Sequence, residues 1–190
     1  MMPRVMKTTA VISTLSTLVL AFLYCRYELS VLLTLAITLG TVAYHLIMRL
    51  AVGTLVNATL KNKVNYNRWW FRQRGFERKL YRLLRVRSWK GKMPTYDPSL
   101  FSREKHSWDE IAQAMCQAEI VHEIIMLFSL LPILASIKFG SVAVFVITSV
   151  LSAGFDSMFV IMQRYNRPRV IRVAQKENKR ERVENEKGKD

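Results

Sequence analysis

Residues 141–169 read SVAVFVITSVLSAGFDSMFVIMQRYNRPR and decide the fold of this chain. The stretch as far as Met162 is apolar, apart from small hydroxyl side chains and Asp156, over about the 20 residues that a helix needs to cross ~30 Å of hydrocarbon. Three arginines and an asparagine then surround Pro168. Such a basic end is typical of the cytoplasmic flank of a membrane span. Guanidinium groups at fixed spacing also suit a carboxylate or phosphate ligand.

Three further apolar runs precede this one, and together they indicate an all-α membrane protein with four transmembrane helices. Of the 190 residues, 51% are hydrophobic, yet the formal net charge is +15. A nucleic-acid-binding domain could carry that charge but would not carry four long apolar runs, so nucleic acid is excluded as a partner. The runs cover residues 8–24, 29–48, 120–137 and 141–162.

The distribution of charge predicts the orientation of the four spans. Residues 61–92 hold twelve Lys and Arg against one acid, Glu77, whereas the two short hairpin loops hold only Arg26 and Lys138. The basic side of a membrane protein is normally cytoplasmic. We therefore predict a multi-pass protein of the cell membrane with both termini in the cytoplasm.

Four segments follow along the chain: a transmembrane hairpin (1–56), a basic interfacial region (57–107), a second hairpin with the arginine motif (108–172) and a charged tail (173–190). Aromatic and cationic side chains alternate over residues 69–89, which predicts an amphipathic helix lying on membrane lipids. Ser107 and Glu110 form a capping-box pattern and predict the start of the third helix. Pro168 predicts that the fourth helix ends or kinks near Asn166, and nothing after Arg172 has the pattern of a packed segment.

Ionisable residues inside or at the edge of the apolar runs are candidate functional residues, because such groups are costly in a membrane. In the predicted topology they lie at a similar depth near the cytoplasmic surface, on three different helices. A four-helix arrangement can bring them together. They are His45 and Arg49 on the second run, Glu119, His122 and Glu123 on the third, and Asp156 on the fourth.

His122 is the best candidate for a general base, since its ordinary pKa is near neutrality and Glu119, one helical turn away, can fix its tautomer. A base of this kind beside cations at the water boundary suits acyl transfer from a cytosolic thioester to a lipid-borne hydroxyl. Asn166 is a candidate donor to the thioester carbonyl. The predicted carrier-binding cations are Lys90, Lys92, Arg164, Arg167 and Arg169.

Other interpretations of the same residues stay open. Asp156 can be a buried partner for Arg164, and Arg49 can neutralise Glu123, which would make the cluster a structural ion-pair network. A metal site built on Glu119 and His122 would need more carboxylates than the runs supply, so no metal is predicted. A non-enzymatic membrane scaffold or lipid-binding subunit is the alternative function.

Several motifs resemble those of the glycosyl-4,4'-diaponeurosporenoate acyltransferases. They occur in the same order and cover residues 71–172. The motifs are Phe76-Glu77, Trp89-Lys90 with Lys92 and Pro94, Ala118-Glu119-Ile120-Val121-His122, and the segment from Gln163 to Arg169.

The resemblance implies a membrane enzyme that places a fatty acyl chain on a sugar hydroxyl of a glycosylated carotenoid, with another glycolipid or a polyprenol-linked sugar as an open alternative. No permanently bound cofactor is implied. The co-substrate would be an acyl thioester, either acyl-CoA or acyl carrier protein, and the partners would be membrane lipids and the lipid-borne glycosyl acceptor.

Overall fold

The computed structural model describes residues 2–187, and over that range the chain is helical, without β-strands. Short 3₁₀ turns occur in the basic region at Trp69–Phe71, Lys90–Lys92 and Pro98–Phe101. The α-helices are α1 (Met2–Tyr27), α2 (Ser30–Leu60), α3 (Glu77–Leu83), α4 (Val86–Trp89), α5 (Trp108–Phe128), α6 (Pro132–Phe139) and α7 (Val142–Lys187).

Four stretches of this chain are long and apolar enough to cross a membrane: Arg4–Tyr27, Ser30–Leu60, Trp108–Phe139 and Val142–Arg180. The predicted all-α, four-span architecture is therefore confirmed. Both tight hairpins also lie where the sequence predicts them. Glu28 separates α1 from α2, and Gly140 with Ser141 separates α6 from α7, all three with positive φ angles that reverse the chain.

The third span is interrupted, whereas the sequence predicts one continuous helix. Pro132 has no N–H to donate to the carbonyl of Phe128. That carbonyl instead accepts from the Leu131 N–H at 3.1 Å and from the Tyr44 hydroxyl at 2.9 Å. A hydrogen bond to the residue three positions earlier also links the Ile133 N–H to the Leu130 carbonyl. The break between α5 and α6 is thus stabilised by a side chain from α2, which the local sequence does not reveal.

The fourth helix continues well past its proline, so of the predicted end or kink near Asn166 the end is wrong. Pro168 lies inside α7. A proline removes one hydrogen bond to the residue four positions earlier and disfavours helical backbone at the preceding residue. Here that preceding residue is Arg167, which is buried and held by two side-chain bonds. Those bonds fix the helical course that the local preference opposes.

The basic region forms short pieces rather than the predicted continuous amphipathic helix. A bend at Arg72 and a turn at Gly75 and Phe76 separate Trp69–Phe71 from α3, and Arg85 adopts a left-handed conformation (φ 48°, ψ 41°) between α3 and α4. The pieces bury Phe71, Tyr81 and Val86. They leave exposed a set of large apolar side chains that fits a lipid interface, namely Trp69, Trp70, Phe76, Leu83 and Leu84.

The start of α5 follows the predicted capping box. The Ser107 N–H donates to Glu110 Oε2 at 2.8 Å, and the Glu110 N–H donates to Ser107 Oγ at 3.2 Å. The helix then runs through Glu119 as predicted. In the tail, α7 extends beyond Arg172. Ala174 is fully buried there, so the expectation that nothing after Arg172 packs is wrong.

The chain divides into two compact units. One contains the described residues up to Leu55 together with Val121–Ser157, and the other contains Val56–Ile120 together with the described residues from Met158 onward. The boundaries fall inside α2, α5 and α7, because packing groups the two ends of these long helices separately. Each of the polar clusters described below lies within one unit.

Candidate active site

The first unit holds a buried carboxylate between an imidazole and a guanidinium. Asp156 is 1% exposed, and its Oδ1 lies 2.9 Å from His122 Nδ1. Its other oxygen forms an ion pair with Arg49. A carboxylate can only accept hydrogen bonds. The contact is therefore a hydrogen bond in the tautomer of His122 that carries its proton on Nδ1.

Small hydroxyl side chains complete this cluster. Arg49 donates to Ser152 Oγ at 2.9 Å, and Ser129 and Ser152 are hydrogen-bonded to each other at 3.0 Å. Ser152 and Asp156 are four residues apart and so share one face of α7. Serine is small enough to admit the arginine beside that face while satisfying one of its donors. Arg49 also lies over the Phe155 ring, 5.9 Å from its centroid.

His45 lies one helical turn before Arg49 and is buried, at 5% exposure. In the described part of the chain neither of its ring nitrogens has a hydrogen-bond partner. Its ring makes an edge contact with Tyr44 at a centroid distance of 5.4 Å. The side chain of α2 that pairs with Asp156 is thus Arg49.

The second unit holds an ion-pair network around Glu119, which is completely buried. Glu119 Oε1 accepts from Arg164 Nη1 at 2.7 Å, and Oε2 pairs with Arg167. Arg167 is 1% exposed, donates to the Phe71 carbonyl at 2.6 Å and lies over the Phe71 ring. One carboxylate thus fixes two guanidiniums of the arginine motif.

Glu77 joins the same network from α3. Arg164 Nη2 lies 3.1 Å from Glu77 Oε1, and the Tyr81 hydroxyl donates to Glu77 Oε2 at 2.6 Å. Burial and this bond to a carboxylate raise the pKa of Tyr81. With Glu77 included, the network contains two carboxylates and the two guanidiniums of Arg164 and Arg167. Most of the charge in this part of the motif is therefore neutralised within the fold.

Two of the remaining predicted carrier-binding residues, Lys90 and Arg169, lie over the ring of Tyr165. Lys90 Nζ donates to Asn166 Oδ1 at 2.6 Å and lies 4.8 Å from the centroid of the Tyr165 ring. Arg169 lies over the same ring at 5.2 Å. Arg169 and Lys92 are exposed, so unlike Arg167 they can meet a ligand from water.

The structure thus distributes the sequence-predicted residues over two clusters. His122, Asp156 and Arg49 come together, as the common depth of these residues predicts. Glu119 is bonded to arginines, and the carboxylate that holds the His122 ring is Asp156. The alternative pairing of Asp156 with Arg164 is replaced by the pair with Arg49.

Two contributors are not among the predicted site residues. Glu77 is the single acid among the twelve Lys and Arg of residues 61–92, and such an isolated acid is a usable signal for a buried ion pair. Ser152 carries no comparable signal, because serines are common in membrane helices. As for metals, no three His, Cys, Asp and Glu side chains converge on an ion-sized site within residues 2–187.

Comparison with known proteins gives one decisive match. The family model for glycosyl-4,4'-diaponeurosporenoate acyltransferase matches residues 67–176, more than half of the chain. The chain belongs to this family. It is an acyltransferase of carotenoid glycolipid biosynthesis, and the interpretation as an enzyme rather than a scaffold is confirmed. Searches of curated proteins and of solved structures found no match.

The family match covers the Glu119 network and the His122–Asp156 pair, but it does not include Arg49. The family match begins just before Trp69. It is slightly longer at both ends than residues 71–172, which hold the motifs that resemble this family. The acyltransferase assignment therefore rests on the region that holds both clusters. The geometry of these clusters then bears on how the transfer proceeds.

Proposed function

We propose that this acyltransferase moves a fatty acyl group from a cytosolic thioester to a sugar hydroxyl of a membrane glycolipid, with a glycosylated carotenoid as the acceptor. The observation that carries the proposal is the buried Asp156 held between Arg49 and His122. A histidine oriented by a carboxylate is the arrangement that general-base activation of a hydroxyl requires.

In this mechanism the basic atom is His122 Nε2, because Nδ1 donates to Asp156. Nε2 removes the proton of the sugar hydroxyl while the oxygen attacks the thioester carbonyl carbon. The tetrahedral intermediate then collapses, the carbon–sulfur bond breaks, and the imidazolium returns the proton to the leaving thiolate. The His122 side chain is 22% exposed against 1% for Asp156. The ring is thus accessible to a substrate, whereas its carboxylate is shielded from water.

Asp156 is assigned the orienting role that the sequence predicts for Glu119. Its charge also stabilises the imidazolium that forms during proton transfer. Arg49 is a positioning residue, since its bonds to Asp156 and Ser152 hold the carboxylate in place. Glu119 is assigned to the arginine network, where it holds Arg164 and Arg167 in the motif.

Donor binding is assigned to the exposed cations of the basic region and of α7, namely Lys92 and Arg169, together with Lys90. The Asn166 side-chain oxygen accepts from Lys90. Asn166 is therefore assigned to donor binding together with Lys90. The predicted cytoplasmic orientation of the basic region brings these groups to the compartment in which acyl-CoA and acyl carrier protein are found.

The test is acyl transfer by purified protein in lipid nanodiscs, supplied with an acyl thioester and the glycosylated carotenoid. His122→Ala should lower kcat by roughly 10²–10⁴-fold, the usual contribution of a general base. Asp156→Asn keeps the shape of the side chain but loses its charge, so it should lower kcat and shift the pH profile of kcat. His106→Ala is the matched control, because His106 is half-buried and pairs with Glu110 in the other unit.

Turnover by His122→Ala at the wild-type rate would overturn the assignment of the base. Full turnover with an acceptor that lacks the sugar would overturn the assignment of the hydroxyl. Comparison of lipid extracts from cells with and without the protein identifies the natural acceptor independently of the purified assay.

A further inference from the structure

An open cleft in the second unit is lined by arginines, most of which lie outside the sequence motifs and have no role in the proposed mechanism so far. Its volume is about 1,000 Å³. Tyr81 and Tyr165 form part of its wall, and Pro168 contributes from α7. Among the residues that the structure describes, none of those lining the cleft is a carboxylate. The six lining arginines are Arg78, Arg82, Arg85, Arg87, Arg169 and Arg172.

These arginines differ from those of the buried network. Arg164 and Arg167 are neutralised by carboxylates. By contrast, Arg82 and Arg87 are exposed, and no ion pair or hydrogen bond of their side chains occurs within residues 2–187. Like charges brought into one cleft repel each other, and a bound anion relieves that repulsion. The cleft therefore has the electrostatics of an anion site.

The kind of anion follows from the choice of arginine and from the shape. Arginine forms paired hydrogen bonds with phosphate oxygens, which lysine cannot do as a point charge. A concave volume at the upper end of the usual range of roughly 300–1,000 Å³ suits a nucleotide-sized ligand. A carrier protein would present a single phosphodiester from a protein surface, whereas coenzyme A presents several phosphates on one small molecule.

We propose that this arginine cleft binds the phosphorylated nucleotide end of a coenzyme A thioester, which makes acyl-CoA the acyl donor. The inference rests on the proposed function, in that it names the donor of the same reaction. The diphosphate and the ribose phosphate would lie among the arginines of α3, α4 and α7. The pantetheine arm, which carries the acyl thioester, would extend out of the cleft.

Binding of free coenzyme A to the full-length protein in phosphatidylcholine nanodiscs tests the proposal, with pantetheine as the ligand that lacks phosphates. The double variant Arg82→Gln/Arg87→Gln should weaken coenzyme A binding roughly 10- to 100-fold, as loss of two charge-assisted contacts predicts. The double variant Arg74→Gln/Lys79→Gln is the control. It removes the same charge from exposed side chains of the same segment that do not line the cleft.

In turnover, Arg82→Gln/Arg87→Gln should raise KM for acyl-CoA while kcat at saturation stays near wild type. Replacement by lysine at both positions should recover only part of the affinity, since charge alone is restored. Acyl-pantetheine should react equally poorly with wild type and variant, because it lacks the phosphates that the cleft recognises.

The proposal is overturned if the control pair weakens coenzyme A binding as much as the cleft pair, which would reflect net charge alone. It is also overturned if phosphatidylglycerol in the nanodiscs displaces coenzyme A, which would assign the cleft to lipid headgroups. Turnover with acyl carrier protein but not with acyl-CoA would reject this inference and leave the proposed reaction standing. Absence of turnover with either donor would reject the proposed reaction itself.

Discussion

Replacement of Glu119 by Gln tests the buried arginine network most directly. Glu119 is fully buried and pairs with both Arg164 and Arg167. In Glu119→Gln, Arg164 keeps its pair with Glu77, but Arg167 keeps only neutral acceptors such as the Phe71 carbonyl. Loss of one partner from a buried ion pair costs about 3–5 kcal/mol, because the remaining charge has lost both water and its counter-ion.

For a chain of this length about 1 kcal/mol shifts Tm by roughly 2–4 °C. We therefore expect Glu119→Gln to lower Tm by roughly 6–20 °C, measured by tryptophan fluorescence of the purified protein in detergent. Glu104→Gln is the control, since Glu104 is exposed and lies just ahead of α5 in the sequence. Its Tm should stay close to the wild-type value.

A double variant distinguishes the effect of losing the charge partner from the effect of changing the shape of the side chain. In Glu119→Leu/Arg167→Met both charges are removed, and replacement of a whole buried pair by apolar side chains is often neutral or stabilising. Tm should recover most of the loss. If Glu119→Gln melts within about 2 °C of wild type, less than one kcal/mol on the scale used here, the network does not stabilise the fold as argued. Turnover by the stable double variant would show that Glu119 has no catalytic role.

Three further predictions concern other parts of the chain. Arg169→Lys should lower activity at normal abundance. Arg167→Lys should lower Tm as well, because it is the planar guanidinium that reaches both Glu119 and the Phe71 carbonyl. The activity and the Tm of each purified variant test this prediction. The hydrogen bond to Asp109 raises the pKa of Tyr66 from 10.0 to about 12, so this contribution to stability is present below about pH 10 and is lost as pH rises toward 12. Tyr66→Phe should flatten that alkaline loss in a series of Tm measurements. Reporter fusions at Lys92 should read cytoplasmic and those near residue 139 should read outside, and the reverse result would remove the cytosolic donor from the proposal.

The topology prediction extends to the C-terminus, where a fusion at Asp190 should also read cytoplasmic. That residue lies outside the part of the chain that the structure describes. The orientation prediction there rests on the charge distribution alone.

Much of the candidate site could be predicted from the sequence. Asp156, His122 and Arg49 stand out because ionisable residues are rare and costly inside apolar runs. The predicted common depth correctly brings these three together. The sequence could not select the partner of His122, because both Glu119 and Asp156 satisfy the depth argument. Only the rotation of α5 and α7 about their axes decides which carboxylate meets the imidazole.

By itself, the sequence determined the four spans, the hairpins and the capping box at Ser107. All of these follow from hydropathy and from signals within a few residues, and such signals act locally. Only the tertiary structure decided the break at Pro132 and the continuation of α7 through Pro168. At both prolines the backbone depends on a side-chain contact from a distant segment, Tyr44 in one case and Glu119 in the other. Contacts between residues far apart in sequence depend on which helix faces pack together. Helical periodicity limits the faces that can pack, but it does not determine which of them do.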